Sequence, residues 1–279
     1  MDWLYSLGLA AASTAAGILG AMLGLGGGVF IVPIYTLFFG VPQKAAIAAS
    51  AIAVVSNSVV GSQSHLRSGF TNIRLVMLLL VPMTAGAIVG ALIGVYAPDA
   101  LLSVLFGGVL IYAAFSMNLK KNAAPPPPGR PDPWALGATF TDPATTQPTS
   151  YVPERVRTGL GISGIAGVFS GMLGVGGGVV MVPAMTLVMR VPLKAAAGTS
   201  AFMVGMTSVA TAFVYYANGK VDPTIAVPAM VGIFFGGRFG AALTRRLKVQ
   251  SLTKVFVVIL GFLGLWMIQS GADIIGRLS

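Results

Sequence analysis

The chain repeats itself at an offset of 150 residues, without a gap. Residues 20–51 read GAMLGLGGGVFIVPIYTLFFGVPQKAAIAASA, and residues 170–201 read SGMLGVGGGVVMVPAMTLVMRVPLKAAAGTSA. Eighteen of these 32 aligned positions are identical, which is far above chance for apolar sequence and indicates an internal duplication. The fold must therefore be one that two copies of the same unit can build together.

Each copy contains five apolar segments almost without charge. Only 9% of the residues are charged, against about 25% in soluble domains, and this argues for lipid as the main solvent. Because lipid-exposed spans must satisfy their own backbone hydrogen bonds, we predict helices and not a barrel. The predicted segments are Trp3–Leu23, Val29–Phe39, Ala45–Ser62, Leu75–Tyr96 and Leu101–Met117, then Gly159–Leu173, Val179–Met189, Ala195–Tyr216, Thr224–Leu243 and Leu252–Ile268.

The predicted fold is an all-α polytopic membrane protein made of two repeats, each with about five membrane-depth segments. The first repeat covers residues 1–118 and the second covers residues 157–279. Residues 119–156 form a connector with a run of prolines, which we expect to be aqueous and irregular because proline removes backbone donors. The start of the chain lacks the basic region of a cleaved signal peptide, so we expect the chain to be complete.

The basic loops predict that the two repeats are inverted. Arg67 and Arg74 precede the fourth segment of the first repeat, whereas Arg245, Arg246 and Lys248 follow the equivalent segment of the second. Since Lys and Arg concentrate in cytoplasmic loops, the equivalent segments run in opposite directions. An odd number of crossings between equivalent points is then required, which five spans satisfy, as do three spans plus a re-entrant pair. The connector lies in the cytoplasm and both termini lie outside it.

Three consecutive glycines occur in both repeats, as Gly26, Gly27 and Gly28 and as Gly176, Gly177 and Gly178. Such a run loses packing and gains backbone freedom, so we predict that the first two segments of each repeat are broken or re-entrant there. A restarting helix presents N–H groups and the positive end of its dipole, which together suit an anion. Close helix packing is the alternative use of these glycines, and their symmetric recurrence favours binding.

Polar side chains in the third segments are further candidates for the site. Ser50 and Ser200 are equivalent positions, as are Asn57 and Thr207, and neutral donors of this kind can solvate an oxyanion or join helices. Arg238 is the one charge well inside an apolar segment. An arginine at membrane depth either contacts an anion or extends its side chain to the interface.

Several other chemistries are disfavoured. The net charge of +10 lies in short loops beside lipid headgroups and does not indicate nucleic-acid binding. The chain has no cysteine, which removes disulfides and thiolate metal sites. All seven acidic residues fall in loops or at the termini, so the buried carboxylate relay of proton-coupled carriers is missing. No catalytic residue, metal ligand or cofactor is predicted.

The sequence resembles the TauE/SafE family of sulfite and organosulfonate exporters. The likeness is carried by the paired glycine motifs with Pro33 and Pro183, by the VPxKAA stretches at residues 41–46 and 191–196, and by the Ser/Thr-rich third segments. It covers both repeats, and therefore nearly the whole chain outside the connector. The resemblance implies a carrier in the bacterial inner membrane that exports sulfur oxyanions such as sulfite or sulfoacetate.

We therefore expect a multi-pass transporter of the bacterial inner membrane that binds a small oxoanion at the two glycine motifs. The expected partners are a sulfur oxyanion and the lipid bilayer, without nucleic acid, and a homodimer is left open. A passive small-anion channel is one alternative, and a flux that does not saturate with substrate would identify it. A polytopic membrane enzyme is the other, and it would need a His/Asp/Glu cluster or a nucleophile with a base, which the sequence does not offer.

Overall fold

The computed structural model describes residues 3–23, 26–67, 69–119, 132–141, 148–244 and 249–278, and it is 82% helical. Gly24 of the first motif and the basic residues Lys120, Lys121, Arg245, Arg246 and Lys248 lie outside the described residues. The helices are α1 (Trp3–Leu23), α2 (Gly28–Phe39), α3 (Gln43–Arg67), α4 (Ile73–Tyr96), α5 (Asp99–Leu119), α6 (Val156–Leu173), α7 (Gly178–Pro183, continued by a π-helical turn over Ala184–Val188), α8 (Leu193–Ala217), α9 (Pro223–Thr244) and α10 (Val249–Leu278). Two strands, β1 (Ala138–Thr141) and β2 (Pro148–Tyr151), lie between α5 and α6.

The helices of the two repeats correspond at the 150-residue offset. α2 begins at Gly28 and α7 at Gly178, and α3 begins at Gln43 and α8 at Leu193. All ten predicted apolar segments are helical. The mainly helical fold is therefore confirmed, and its helix limits follow from where the apolar runs start and stop.

Six helices are long and apolar enough to cross a membrane, judged by length and composition over the described residues. They are α1, α4, α5, α6, α8 and α10. α3 and α9 are also long, but α3 carries many polar side chains and α9 carries Arg238. α2 and the continuous helix Gly178–Val188 are apolar but short.

Helices of one repeat pack against helices of the other. α1 of the first repeat lies along α9 of the second, α6 of the second lies along α4 of the first, and α5 pairs with α10. A Cβ on Gly86 or Gly90 of α4 would collide with the backbone of α6 at Gly164 or Val168. Glycines at four-residue spacing therefore allow the close helix crossings that their spacing predicts.

α1 and α2 form an antiparallel hairpin. The Tyr5 hydroxyl donates to the Phe39 carbonyl at 3.1 Å, so the first turn of α1 meets the last turn of α2. At the other end of the hairpin, a Cβ on Gly20 would collide with the backbone of Gly27. The chain thus returns to the end of the molecule where α1 began, near an ion pair of Lys44 with Asp99 at 3.8 Å. We call this end the Asp99 face.

α6 and α7 form the equivalent hairpin of the second repeat. The Glu154 N–H donates to the Met189 carbonyl at 2.9 Å, and a Cβ on Gly159 would lie 2.6 Å from the Met189 sulfur. Arg190 follows the hairpin and pairs with Glu154 at 3.7 Å. We call this end the Glu154 face. Each repeat therefore begins with a hairpin whose tip is the glycine motif.

The described part of the connector contains a β-hairpin, where we predicted an irregular segment. β1 and β2 are antiparallel, with Ala138 opposite Tyr151. The Phe140 ring packs against the rings of Phe70 and Tyr151, with centroids 5.4 and 6.3 Å apart. Thr, Phe and Tyr favour strands, but strands of four residues are too short to give a clear periodic signal in the sequence.

Asn72 joins the connector, α4 and α8. Its Oδ1 accepts the Leu75 N–H at 3.1 Å and caps α4, and its Nδ2 donates to the Leu136 carbonyl at 2.8 Å. Its backbone N–H donates to Thr199 Oγ1 on α8 at 3.2 Å. The residue is only 6% exposed, so these bonds are shielded from water. The connector is therefore anchored to both repeats at one place.

Asn72→Ala should lower the free energy of unfolding by about 2 kcal/mol, because it removes both the helix cap and the bond to the connector. Asn72→Ser is the matched control, since a serine hydroxyl can cap α4 but is too short to reach Leu136. It should recover about half of the loss. Thermal unfolding of the purified protein in detergent measures both variants, and an Asn72→Ala protein as stable as the wild type would contradict the anchoring role.

Candidate functional site

The glycine motifs lie where one helix ends and the next begins. Gly27 precedes α2 and Gly177 precedes α7, and both N-caps have left-handed backbones, with φ of 81° and 72°. Gly26 and Gly176 are left-handed as well, with φ of 81° and 75°. Residues with a Cβ adopt this conformation only with strain, so these turns require glycine.

Both helices that follow these turns present backbone donors. The first N–H groups of a helix have no partner within the helix. The N-cap residues of α2 and α7 are glycines, which have no side chain to accept these N–H groups. Each turn therefore combines backbone N–H groups with the positive end of a helix dipole.

The two glycine turns meet around the same pair of valines. A Cβ on Gly26 would lie 3.3 Å from a Val204 methyl and 3.4 Å from a Val54 methyl. A Cβ on Gly176 would lie 2.5 and 3.1 Å from the same two methyl groups. Val54 and Val204 are themselves equivalent at the 150-residue offset, on α3 and α8. The structure thus brings the two predicted motifs together.

Asn57 and Thr207 lie at equivalent places beside the two turns. Asn57 Nδ2 donates to the Gly26 carbonyl at 3.0 Å, and Thr207 Oγ1 lies 3.4 Å from the Gly176 carbonyl. The Thr207 hydroxyl is nearer to the Met203 and Val204 carbonyls of its own helix, at 3.0 and 3.2 Å, and it has one hydrogen to donate. Asn57 therefore positions the first turn more firmly than Thr207 positions the second, and direct contact of either side chain with a substrate stays a prediction.

Ser50 links the two turns, whereas its equivalent Ser200 makes no such bond among the described residues. Ser50 Oγ lies 2.9 Å from the Gly174 carbonyl of the second motif and 3.3 Å from the Gly28 carbonyl of the first. A hydroxyl has one hydrogen, so it serves one of these carbonyls at a time. Ser200 is fully buried, and its hydroxyl has no hydrogen-bond partner among the described residues.

Arg238 lies apart from this buried cluster. It is exposed on α9, next to Gly237, whose position faces the side chain of Asn57. Successive helix residues are rotated by about 100°, so the residue after this buried glycine lies on a different side of the helix. The structure therefore does not bring Arg238 to the glycine turns, and a role in anion contact stays a prediction.

Sequence reasoning overlooked Val54, Val204 and Ser170. The valines are apolar, so a search for hydrogen-bond donors does not find them. Their equivalence at the 150-residue offset was the signal that could have singled them out. Ser170 lies beside Gly177 in the structure but aligns with Gly20, so the symmetry of the repeats does not single it out.

Asn57→Ala should lower the free energy of unfolding by about 1 kcal/mol, because the half-buried Gly26 carbonyl loses its donor. Thr207→Val should have a smaller effect, since it keeps the shape of the side chain and removes a longer bond. Thermal unfolding in detergent compares the two variants. A larger loss for Thr207→Val would contradict the assignment of these side chains to the turns.

Known proteins similar to this chain are membrane transporters by name. The family described as "Sulfite exporter TauE/SafE" matches residues 9–267. "Probable membrane transporter protein YunE" of Bacillus subtilis is 27% identical over 263 residues, which cover 92% of this chain and 94% of the relative. "Probable membrane transporter protein MJ0441" of Methanocaldococcus jannaschii is 25% identical over 271 residues, which cover 90% of this chain and 91% of the relative.

No solved structure matches the chain. The family match extends over both repeats and the connector between them. The six apolar helices of membrane length agree with a multi-pass protein. This chain is a multi-pass membrane protein and belongs to the sulfite exporter TauE/SafE family.

Proposed function

We propose that the protein is a carrier of the bacterial inner membrane that exports sulfite or a small organosulfonate anion. The observation that carries the proposal is the meeting of two glycine turns around Val54 and Val204, each turn at the start of a helix. Two such helix ends offer N–H donors and positive dipole charge to one anion. The names of the relatives support transport, and the family description supports sulfite as the class of cargo.

The side chains around the turns are neutral donors. Ser50, Asn57, Ser200 and Thr207 are buried, and none carries a charge. A site of this kind binds an anion without a fixed ion pair that would oppose its release. An inside-negative membrane potential favours the exit of an anion by about 2.3 kcal/mol per charge per 100 mV. Export therefore requires no coupling carboxylate.

An inverted arrangement of the repeats is supported by the ends at which the two hairpins open. The first hairpin opens on the Asp99 face and the second on the Glu154 face. Asn72, which precedes α4, bonds to the start of α8, and α8 follows the second hairpin. α4 has 24 residues and a length of about 36 Å, and Asp99 follows its far end. The two faces are thus separated by about the thickness of a bilayer.

In the proposed topology each hairpin is re-entrant. α2 has 12 residues and is about 18 Å long, which is too short to cross a hydrocarbon layer of about 30 Å. A hairpin that opens and closes on one face adds no crossing, and it leaves three spans in each repeat, α3–α5 and α8–α10. In this topology α1 and α6 stay within the hairpins, although their length and composition would allow them to cross. Three is an odd number, so the second repeat starts on the opposite side of the membrane.

Basic residues set the orientation of this topology. The described basic residues near the Glu154 face are Arg74, Arg155, Arg157, Arg190 and Lys194. Near the Asp99 face, the described basic residues with described side chains are Lys44 and Lys220. The positive-inside rule therefore assigns the Glu154 face to the cytoplasm, and both termini lie outside it.

Gly27→Ala should reduce sulfite transport in proteoliposomes by about tenfold or more, because a left-handed turn with a Cβ is strained. The added Cβ would also lie 2.7 Å from Ile233. Gly40→Ala is the matched control. Gly40 is left-handed too, with φ of 64°, but no atom lies within 4 Å of its Cβ position, and it lies at the other end of α2.

Gly40→Ala should keep transport within about twofold of the wild type, so strain alone cannot explain a selective loss in Gly27→Ala. Equal transport by Gly27→Ala and the wild type would refute the glycine turn as the site. Wild-type flux that saturates with sulfite supports a carrier, and flux that rises linearly would replace it with a channel.

Single-cysteine labelling tests the inversion, and the natural chain has no cysteine to interfere. Gly40 and Arg190 are equivalent positions that follow the two hairpins. In intact spheroplasts, a membrane-impermeant maleimide should label Gly40→Cys, and it should label Arg190→Cys only after permeabilisation. Labelling of both variants from the same side would contradict inverted repeats.

A further inference from the structure

Four buried side-chain polar atoms have no hydrogen-bond partner in the described part of the chain. One is the amide nitrogen of Gln43, and the other three are serine hydroxyls of the second repeat. These serines are Ser170 on α6 and Ser200 and Ser208 on α8, with exposed fractions of 0%, 0% and 1%. Buried hydroxyls in native proteins nearly always have a partner, so three in one repeat require an explanation.

Two of these serines lie beside the second glycine turn. Ser208 Oγ is 3.2 Å from the position that a Cβ on Gly176 would occupy. Ser170 Cβ is 3.2 Å from the corresponding position on Gly177. The Cα atoms of these two glycines are about 3.8 Å apart, because they are neighbours in the chain. Ser208 and Ser170 therefore approach one turn from two different helices.

Ser200 belongs to the same group through the equivalence of the repeats. Its counterpart Ser50 lies beside the first motif, with Oγ 2.7 Å from the position of a Cβ on Gly28. Ser200 occupies the equivalent position on α8, one repeat later. By this equivalence we expect Ser200 beside Gly178, the counterpart of Gly28 in the second motif.

The equivalent positions of the first repeat offer no free hydroxyl. Gly20 stands where the second repeat has Ser170. The Ser50 hydroxyl bonds to the carbonyls of the turns, and the Ser58 hydroxyl donates to the Val55 carbonyl at 2.9 Å. The donors of the first repeat are thus used within the protein, whereas those of the second repeat are available.

We propose that the transported anion is held asymmetrically, against the second glycine turn, by the hydroxyls of Ser170, Ser200 and Ser208. This inference rests on the proposed function and adds which half of the scaffold recognises the cargo. Each hydroxyl donates one hydrogen bond, so three hydroxyls match the three oxygens of a sulfite or sulfonate group. A carboxylate offers two oxygens and binds more weakly at such a site.

The test compares Ser208→Ala with Ser58→Ala, which is its equivalent in the first repeat. Isothermal titration calorimetry of the purified full-length protein measures the binding of sulfite, sulfoacetate and acetate. Ser208→Ala should weaken the binding of sulfite by about tenfold, which is the loss of one good donor, and Ser58→Ala should stay within about twofold of the wild type. The wild type should bind acetate more weakly than sulfite.

Thermal unfolding distinguishes a binding role from a structural one. Removing a buried hydroxyl that has no partner should not destabilise the protein, so Ser208→Ala without ligand should unfold at the wild-type temperature or above it. The rise in unfolding temperature caused by sulfite should shrink in the variant. Unfolding of ligand-free Ser208→Ala below the wild-type temperature would indicate a structural role and overturn the inference.

Wild-type sulfite affinity in Ser170→Ala, Ser200→Ala and Ser208→Ala would also overturn the inference, while the proposed function would stand. Equal losses of sulfite affinity in Ser208→Ala and Ser58→Ala would also overturn the inference and leave the proposed function standing, because the site would then be symmetric. A wild-type protein that binds none of the three anions would instead overturn the proposed function.

Discussion

A backbone polar group without a partner is costly in the hydrocarbon of a bilayer, and this constraint governs the structure around the two glycine turns. Breaking a helix frees carbonyls as well as N–H groups. Asn57, Thr207 and Ser50 lie within hydrogen-bonding distance of the freed carbonyls of Gly26, Gly176 and Gly174. The helix that follows each turn has a glycine at its N-cap, which has no side chain to cap it. In the proposed function, the anion meets backbone N–H groups at turns whose carbonyls already lie beside side-chain donors.

Because helices of one repeat pack against helices of the other, the arrangement of the two glycine turns depends on the whole chain. Each glycine turn contacts one valine from each repeat, Val54 on α3 and Val204 on α8. α1 lies along α9, and α6 lies along α4, so each hairpin is supported by the other repeat. Such close crossings need glycine at the contact, since a Cβ on Gly90 would collide with the backbone of α6. Neither repeat could form the site alone.

The sequence predicted what local chemistry determines. Apolar runs set the helix limits, the glycine motifs mark where helices end and begin, and equivalence at the repeat offset singled out Asn57 and Thr207. Tertiary packing decides the remainder, because it determines which side of each helix is buried. Arg238 stands next to the buried Gly237 and is itself exposed. The sequence alone does not show which of these two neighbours faces the protein interior. The short strands of the connector depend on ring contacts of Phe140 with Phe70 and Tyr151, which are distant in sequence.

The bond from Ser50 to the Gly174 carbonyl gives the two turns a physical connection. Ser50 lies on α3 and is within reach of the Gly28 carbonyl of its own repeat as well as the Gly174 carbonyl of the other. One hydroxyl hydrogen cannot serve both carbonyls at once, so a small shift of either hairpin changes which carbonyl is bonded. The equivalent Ser200 makes no such bond among the described residues. In the proposed site, one serine of this equivalent pair couples the two repeats and the other binds the cargo, so the two copies of the duplicated unit have separate tasks.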